Sequence, residues 1–185
     1  MAVTFTPSGS AAAGGVQQSY ELQIDALLEG QLSDIRNNTI GTYVNETGGV
    51  LAYGNAAAYN GAGTVYNSAK TLSADTDTFL GVNVLTYVDE TAEDGNSRPG
   101  VKDEQAMNVA NEGAVAVYVH GAVDTTTAVR VVHTTSGTTY AGRFSAAAIP
   151  GNTAVLSNAR YLTSTTGDGL VVLELNGPTF SLTGD

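Results

Sequence analysis

Between residues 114 and 176 the chain consists almost entirely of short apolar strands. The charged side chains in that stretch are Asp124, Arg130, Arg143, Arg160, Asp168 and Glu174. The apolar positions are mostly Val, Ala, Leu and Tyr, separated by Thr, Gly, Ser and Asn. β-Branched and aromatic residues fit a pleated, half-buried surface, so this stretch folds as a β scaffold. An active site needs acids, bases or nucleophiles gathered in one pocket. A stretch so poor in them suits a protein that works through its shape and its partners.

The 185 residues fit one domain, or one domain with an appended arm. At 42% hydrophobic residues the chain can bury a real core, yet only 14% are charged. An average soluble domain has roughly 25%. Many small uncharged residues and little solubilising surface point to an oligomer or a larger assembly. The net charge is −11, with seven Lys and Arg in all. Phosphate backbones demand clustered basic residues, and none are clustered here, so nucleic acid and anionic membrane surfaces are not expected partners. The chain contains no Cys, which excludes disulfides and thiolate chemistry. The N-terminal residues lack the basic stretch and apolar core of a signal peptide. No apolar run approaches the roughly 20 residues that span a bilayer.

Residues 1–19 are small, polar and rich in Gly and Ala. Alone they cannot bury enough area to offset the entropy of ordering them. They read as an extended N-terminal arm held by a neighbouring subunit or a partner, with residues 20–185 forming a single β domain. Val3, Phe5 and Tyr20 are the expected partner-binding side chains. Tyr20, Ile24, Leu27 and Leu28 fall at roughly helical spacing, which predicts a short helix over residues 20–29. Beyond it, strands are expected over residues 40–44, 50–53, 78–88, 106–109, 114–120, 129–134, 138–144, 153–163 and 170–176. Residues 54–70 and the acidic residues 89–100 read as loops, the second one protruding. There is no fixed-period repeat. The turn spacing gives the fold class: mainly β, an antiparallel β-sandwich or barrel with an extended N-terminal arm.

Tests for chemistry return little. The G-x-S-x-G elbow and the P-loop are absent; Gly61 and Gly63 lack the Lys and Ser/Thr that a P-loop requires. His120 and His133 each end a Val-rich strand, and two histidines alone do not make a zinc site. Asp75 and Asp77 form D-x-D, but Leu80 stands where an EF-hand loop places Gly. Asp89, Glu90, Glu93 and Asp94 are best read as a solvated acidic surface. No catalytic residue, cofactor or metal is expected. Among the nine tyrosines, Tyr43, Tyr53, Tyr87, Tyr118 and Tyr161 lie within strand patterns and read as core or inter-subunit packing rather than sugar-stacking platforms.

Three blocks resemble tailed-bacteriophage capsid cement (decoration) proteins of the small β-rich type. The first is GQLSD at residues 30–34 followed by IGTYVNE at 40–46. The second is TFLGVNVLTY at 78–87. The third runs from NEGAVAVYV at 111–119 through Gly151 and Asn152 and NARYL at 158–162 to GLVVLELN at 169–176. The resemblance covers roughly residues 20–176. It implies a structural virion protein, not an enzyme, that forms a homotrimer on the outer surface of an icosahedral head. It further implies that the protein bridges major capsid protein subunits and stabilises the shell. The competing readings are a virion fibre or receptor- or glycan-binding module, with the acidic loop at its tip, and a β-rich glycan hydrolase or lyase.

Overall fold

The computed structural model describes residues 27–33, 38–86, 92–177 and 179–185. Its regular elements are all strands. They are β1 (Thr39–Asn45), β2 (Leu51–Ala52), β3 (Ala56–Tyr59), β4 (Ser68–Thr71), β5 (Phe79–Asn83), β6 (Ala92–Glu93) and β7 (Pro99–Val101). After them come β8 (Ala106–His120), β9 (Arg130–Val132), β10 (Phe144–Ser145), β11 (Thr153–Leu156), β12 (Ala159–Tyr161), β13 (Gly169–Asn176) and β14 (Leu182–Gly184).

β8 organises the molecule. Its first half pairs antiparallel with β1, from Val44↔Ala106 to Thr39↔Glu112. Its other edge pairs with β5 at Ala110↔Val82 and Val109↔Asn83. β1 runs parallel to β4, β4 pairs with β3, and β3 with β5. The ring β1–β4–β3–β5–β8 therefore closes into a barrel, which removes free edges from those strands. The second half of β8 pairs with β13 from Glu112↔Asn176 to Val119↔Gly169, and β12 extends that layer. At its end β8 runs parallel to β10, and the sheet continues through β9 and β11 to β14. A separate small sheet has the order β2–β7–β6.

Two apolar cores follow from this layout. β3 shows how one strand serves both: Ala57 packs with Leu51, Tyr53, Val101, Met107 and Val109, whereas Ala56 and Ala58 face the larger core. Alternate residues of a strand point to opposite faces, so three alanines in a row divide themselves between the two. The larger core gathers Val115, Val117 and Val119 of β8 against Val171, Leu173 and Leu175 of β13, with Phe144 and Tyr161. Two buried asparagines tie the small sheet to the barrel. Asn45 Nδ2 donates to the Val101 carbonyl at 2.8 Å, and Asn83 Nδ2 donates to the Leu51 carbonyl at 2.9 Å.

Several expectations are corrected. The helix expected over residues 20–29 is not found where the structure describes it: Leu27 and Leu28 are non-helical and Glu29–Gly30 form a turn, while residues 20–26 lie outside the described residues. Residues 54–70 contain β3 and the start of β4, because tertiary pairing overrides the weak β propensity of Ala. The strand expected over 138–144 is mostly a turn, closed by reciprocal hydrogen bonds between Ser136 and Thr139. The two strands expected over 106–109 and 114–120 are one; the register against β1 shifts by one residue at Asn111, and Gly113 has φ 119°. Part of the acidic loop, residues 92–101, is a β6–β7 hairpin. The strand pairs are antiparallel except β1–β4 and β8–β10.

Candidate functional site

The residues that carry chemistry are scattered, and most are bonded within the fold, although His120 Nε2 is buried with no hydrogen-bond partner. Asp168 receives the Gly121 N–H at 2.7 Å and lies 3.3 Å from His120 Nδ1, and these bonds hold its carboxyl below the ordinary value. His133 is buried beside the Thr134 hydroxyl. The histidines do not face each other, since β10 separates the end of β8 from β9. Asp77 closes its own turn. Burial raises its pKa, but bonds from Lys70, Ser73 and the local backbone outweigh this and bring it below the ordinary value. Asp94 likewise holds the N–H groups of Asn96 and Arg98 and the Arg98 guanidinium. Among the described residues no group of three or more His, Cys, Asp or Glu is placed to hold a metal ion. An open groove of about 710 Å³ is lined by Ala122, Val123, Asp124, Thr127, Ser164, Thr165 and Thr166. Its single carboxylate, Asp124, is occupied by Thr126 and Thr127, so the groove offers no acid–base pair.

Two features remain that suit contact with another protein. The first is the point where the N-terminal segment enters the fold. Gly30 N donates to the Ala116 carbonyl, Ala116 N to Gln31, and Leu85 N to Gly30, each at 2.8 Å. Residues 30–33 thus lie as an extra strand against β8, with Leu32 bridged to Val115. Gly30 has φ 79°, and a Cβ there would sit 2.8–2.9 Å from three backbone atoms of Leu85, Asn83 and Gly54. Only glycine fits such a conformation at such a close approach. One residue earlier, Glu29 Oε1 accepts a 2.8 Å bond from Arg143 Nη2. Arg143 in turn lies over the Tyr118 ring, 4.1 Å from its centroid. Burial pushes the guanidinium below its ordinary pKa, and the Glu29 charge opposes that shift. The expected partner-binding residues Val3, Phe5 and Tyr20 lie outside the described residues, as do Tyr87, Asp89 and Glu90.

The second feature is the hairpin loop between β3 and β4. Its residues Asn60, Thr64 and Ser68 close around Glu46. The Thr64 and Ser68 hydroxyls both donate to the Glu46 carboxylate, and Thr64 N adds a third bond at 2.9 Å. These bonds, led by Ser68, hold the Glu46 carboxyl below its ordinary value. Asn60 N donates to Ser68, and Gly63 N to Asn60. The braced loop displays Tyr66, which is 92% exposed, and its neighbour Val65, with the exposed Tyr59 at the end of β3. From sequence, residues 54–70 read as a loop. The available signal was Val65 and Tyr66 set among turn-forming Asn and Gly, since tight loops are ordinarily polar.

Comparisons with known proteins bear on what such surfaces meet. A family described as structural cement protein (E217 gp24/Pam3 gp6) matches residues 16–176. Among solved structures, a chain of "The capsid of Myoviridae Phage XM1" has a TM-score of 0.62 and 15% sequence identity. The match covers 90% of this chain and 98% of that one. At that identity the likeness is one of fold. No curated protein sequence matches this chain.

Proposed function

This chain belongs to the phage structural cement protein family, and from that premise we propose that it binds the outer surface of an icosahedral head and bridges neighbouring major capsid protein subunits. Its role as structural cement of a phage capsid, and its location in the virion capsid, follow from the family. The finer reading is a homotrimer without enzymatic activity. Residues 1–19 act as an arm on a β domain of residues 20–185, and Val3, Phe5 and Tyr20 bury themselves in a neighbouring subunit or in the capsid. The observation that carries the reading is the family match across residues 16–176.

The anchoring of residues 29–33 supports the arm. A pull on the segment before Leu27 passes through Glu29 to Arg143 and through Gly30 and Gln31 to the middle of β8. Linked copies turn weak contacts into strong attachment, because later contacts form at high effective concentration. The net charge of −11 argues against DNA as the ligand.

The reading is tested by adding purified protein back to phage heads that lack it. The expected result is saturable binding to intact heads and greater retention of packaged DNA on heating. Apolar and main-chain contacts tolerate salt far better than exposed ion pairs, so binding is expected to survive washing at about 1 M NaCl. Absence of binding, with attachment to host-cell glycan instead, would favour the receptor-binding module.

A further inference from the structure

We propose that the β3–β4 hairpin, residues 59–68, is a docking knob that seats Tyr66 in an uncharged apolar pocket of the capsid shell protein. The proposal deepens the cement reading and rests on it. Five large apolar side chains are exposed among the described residues, and three of them, Tyr59, Val65 and Tyr66, belong to this hairpin. Tyrosine on a rigid support presents a large contact area at a small entropic cost and is enriched at binding hot spots.

The support is rigid. Glu46, from the end of β1, is turned into the loop and consumed by Thr64 and Ser68. Asn60 adds its own side-chain bond to Ala62 and accepts Gly63 N through its carbonyl. A Cβ at Gly63 would collide with the Ser68 side chain and the Glu46 carboxylate, so the closed loop favours glycine there. The knob is therefore pre-organised, and docking it costs little ordering entropy.

Charge and size select the occupant. Residues 59–68 (YNGAGTVYNS) carry no charged side chain, in a chain whose net charge is −11. The ionised Glu46 carboxylate within the loop is taken up by Thr64 and Ser68, so an acidic protein meets another surface here with little charge repulsion, and the knob matches a neutral pocket. A buried tyrosine contributes about 150–250 Å². Two tyrosines and a valine stay below the roughly 800 Å² per partner of a stand-alone interface. The knob is too small to hold two copies of this chain together by itself. It suits one contact among several on a surface that repeats, as a capsid lattice does.

The test compares wild type, Tyr66→Ala, Tyr66→Phe and Val65→Asp in add-back to heads lacking the protein. Head occupancy, the thermal midpoint of the free protein and its solution mass are measured for each. Tyr66→Ala and Val65→Asp are expected to weaken head binding roughly tenfold to a hundredfold. Tyr66→Phe is expected to bind within about threefold of wild type. The thermal midpoint and the mass should not change, because these side chains face solvent. Wild-type binding by Tyr66→Ala overturns the knob while leaving the cement reading in place. A change in solution mass with unchanged head binding also overturns it and makes the hairpin a self-contact. Failure of wild type itself to bind heads overturns both.

Discussion

Arg143 and Tyr118 stack with the guanidinium carbon 4.1 Å from the ring centroid, and the same guanidinium reaches Glu29 at 2.8 Å. Tyr118 also meets His120 edge-on at 5.2 Å, and His120 faces Asp168. One buried cation therefore couples the entry of the N-terminal segment to the end of β8. Arg143→Ala is expected to cost about 2 kcal/mol, less than removing one partner of a fully buried pair, because the Glu29 left behind is partly solvated. Arg143→Lys should recover part of this, since it keeps the charge and loses the planar stack. Urea midpoints measured at unchanged m-value decide it.

Gly30 and Gly48 separate two causes of glycine dependence. Their φ values are nearly equal, 79° and 76°. A Cβ at Gly48 meets nothing within 4 Å, whereas one at Gly30 meets three backbone atoms at 2.8–2.9 Å. Gly48→Ala is expected to cost about 1 kcal/mol of backbone strain. Gly30→Ala should cost about 3 kcal/mol, because residues 30–33 must shift off β8. Equal losses in the two variants, read by chemical denaturation, would remove the close approach as the reason for glycine at position 30.

Acid should loosen the fold from its turns. Asp77, Asp94 and Asp168 are held below 3.8 and Glu46 below 4.5. A carboxyl with a lowered folded-state pKa binds protons more weakly than in the unfolded chain. Its contribution is therefore complete above the unfolded value and is lost as pH falls through the folded value. The urea midpoint is expected to be flat above about pH 5 and to fall steadily below about pH 4. Asp77→Asn, which keeps an acceptor oxygen for Ser73 and Ala74 but removes the titratable charge facing Lys70, should flatten that fall.

The arm is expected to act on a neighbour rather than on its own domain. Removal of residues 1–19 should leave the thermal midpoint nearly unchanged and lower occupancy of heads in add-back. Light scattering assigns the neighbour. A trimer mass retained without the arm places its contact on the capsid, and a fall to monomer makes it the clasp between subunits. A full-length chain that is itself monomeric would contradict the linked-contact mechanism.

Strand content was largely legible in the sequence, and pairing was not. β13, expected over 170–176, spans Gly169–Asn176, because its apolar run Leu170–Leu173 fits a strand between two covered faces. β3 escaped notice because Ala-Ala-Ala-Tyr has little β propensity; β4 and β5, its neighbours, hold it extended. β8 was read as two strands because Asn111, Glu112 and Gly113 resemble a break. In the fold β8 runs unbroken through that stretch, its pairing passing from β1 to β13 at Glu112. The buried tyrosines were half legible: Tyr53 and Tyr161 are fully buried, whereas Tyr43 and Tyr118 are only partly so. The contact residues expected at Val3, Phe5 and Tyr20 fall outside the described residues. Tyr66 was only partly legible: the sequence shows Val65 and Tyr66 among turn-forming residues, but not that Glu46 is brought from the end of β1 to brace their loop.

The shared strand β8 has a mechanical consequence. Six register pairs link it to β1 and eight link it to β13, along one continuous backbone. A force directed along that backbone loads these hydrogen bonds side by side, so they must fail together rather than open one after another from an end. Residues 30–33 feed tension from the N-terminal segment into the middle of this strand, beside Ala114–Ala116. An expanding shell that tugged on that segment would be pulling against the part of the molecule that yields by sliding and not by peeling.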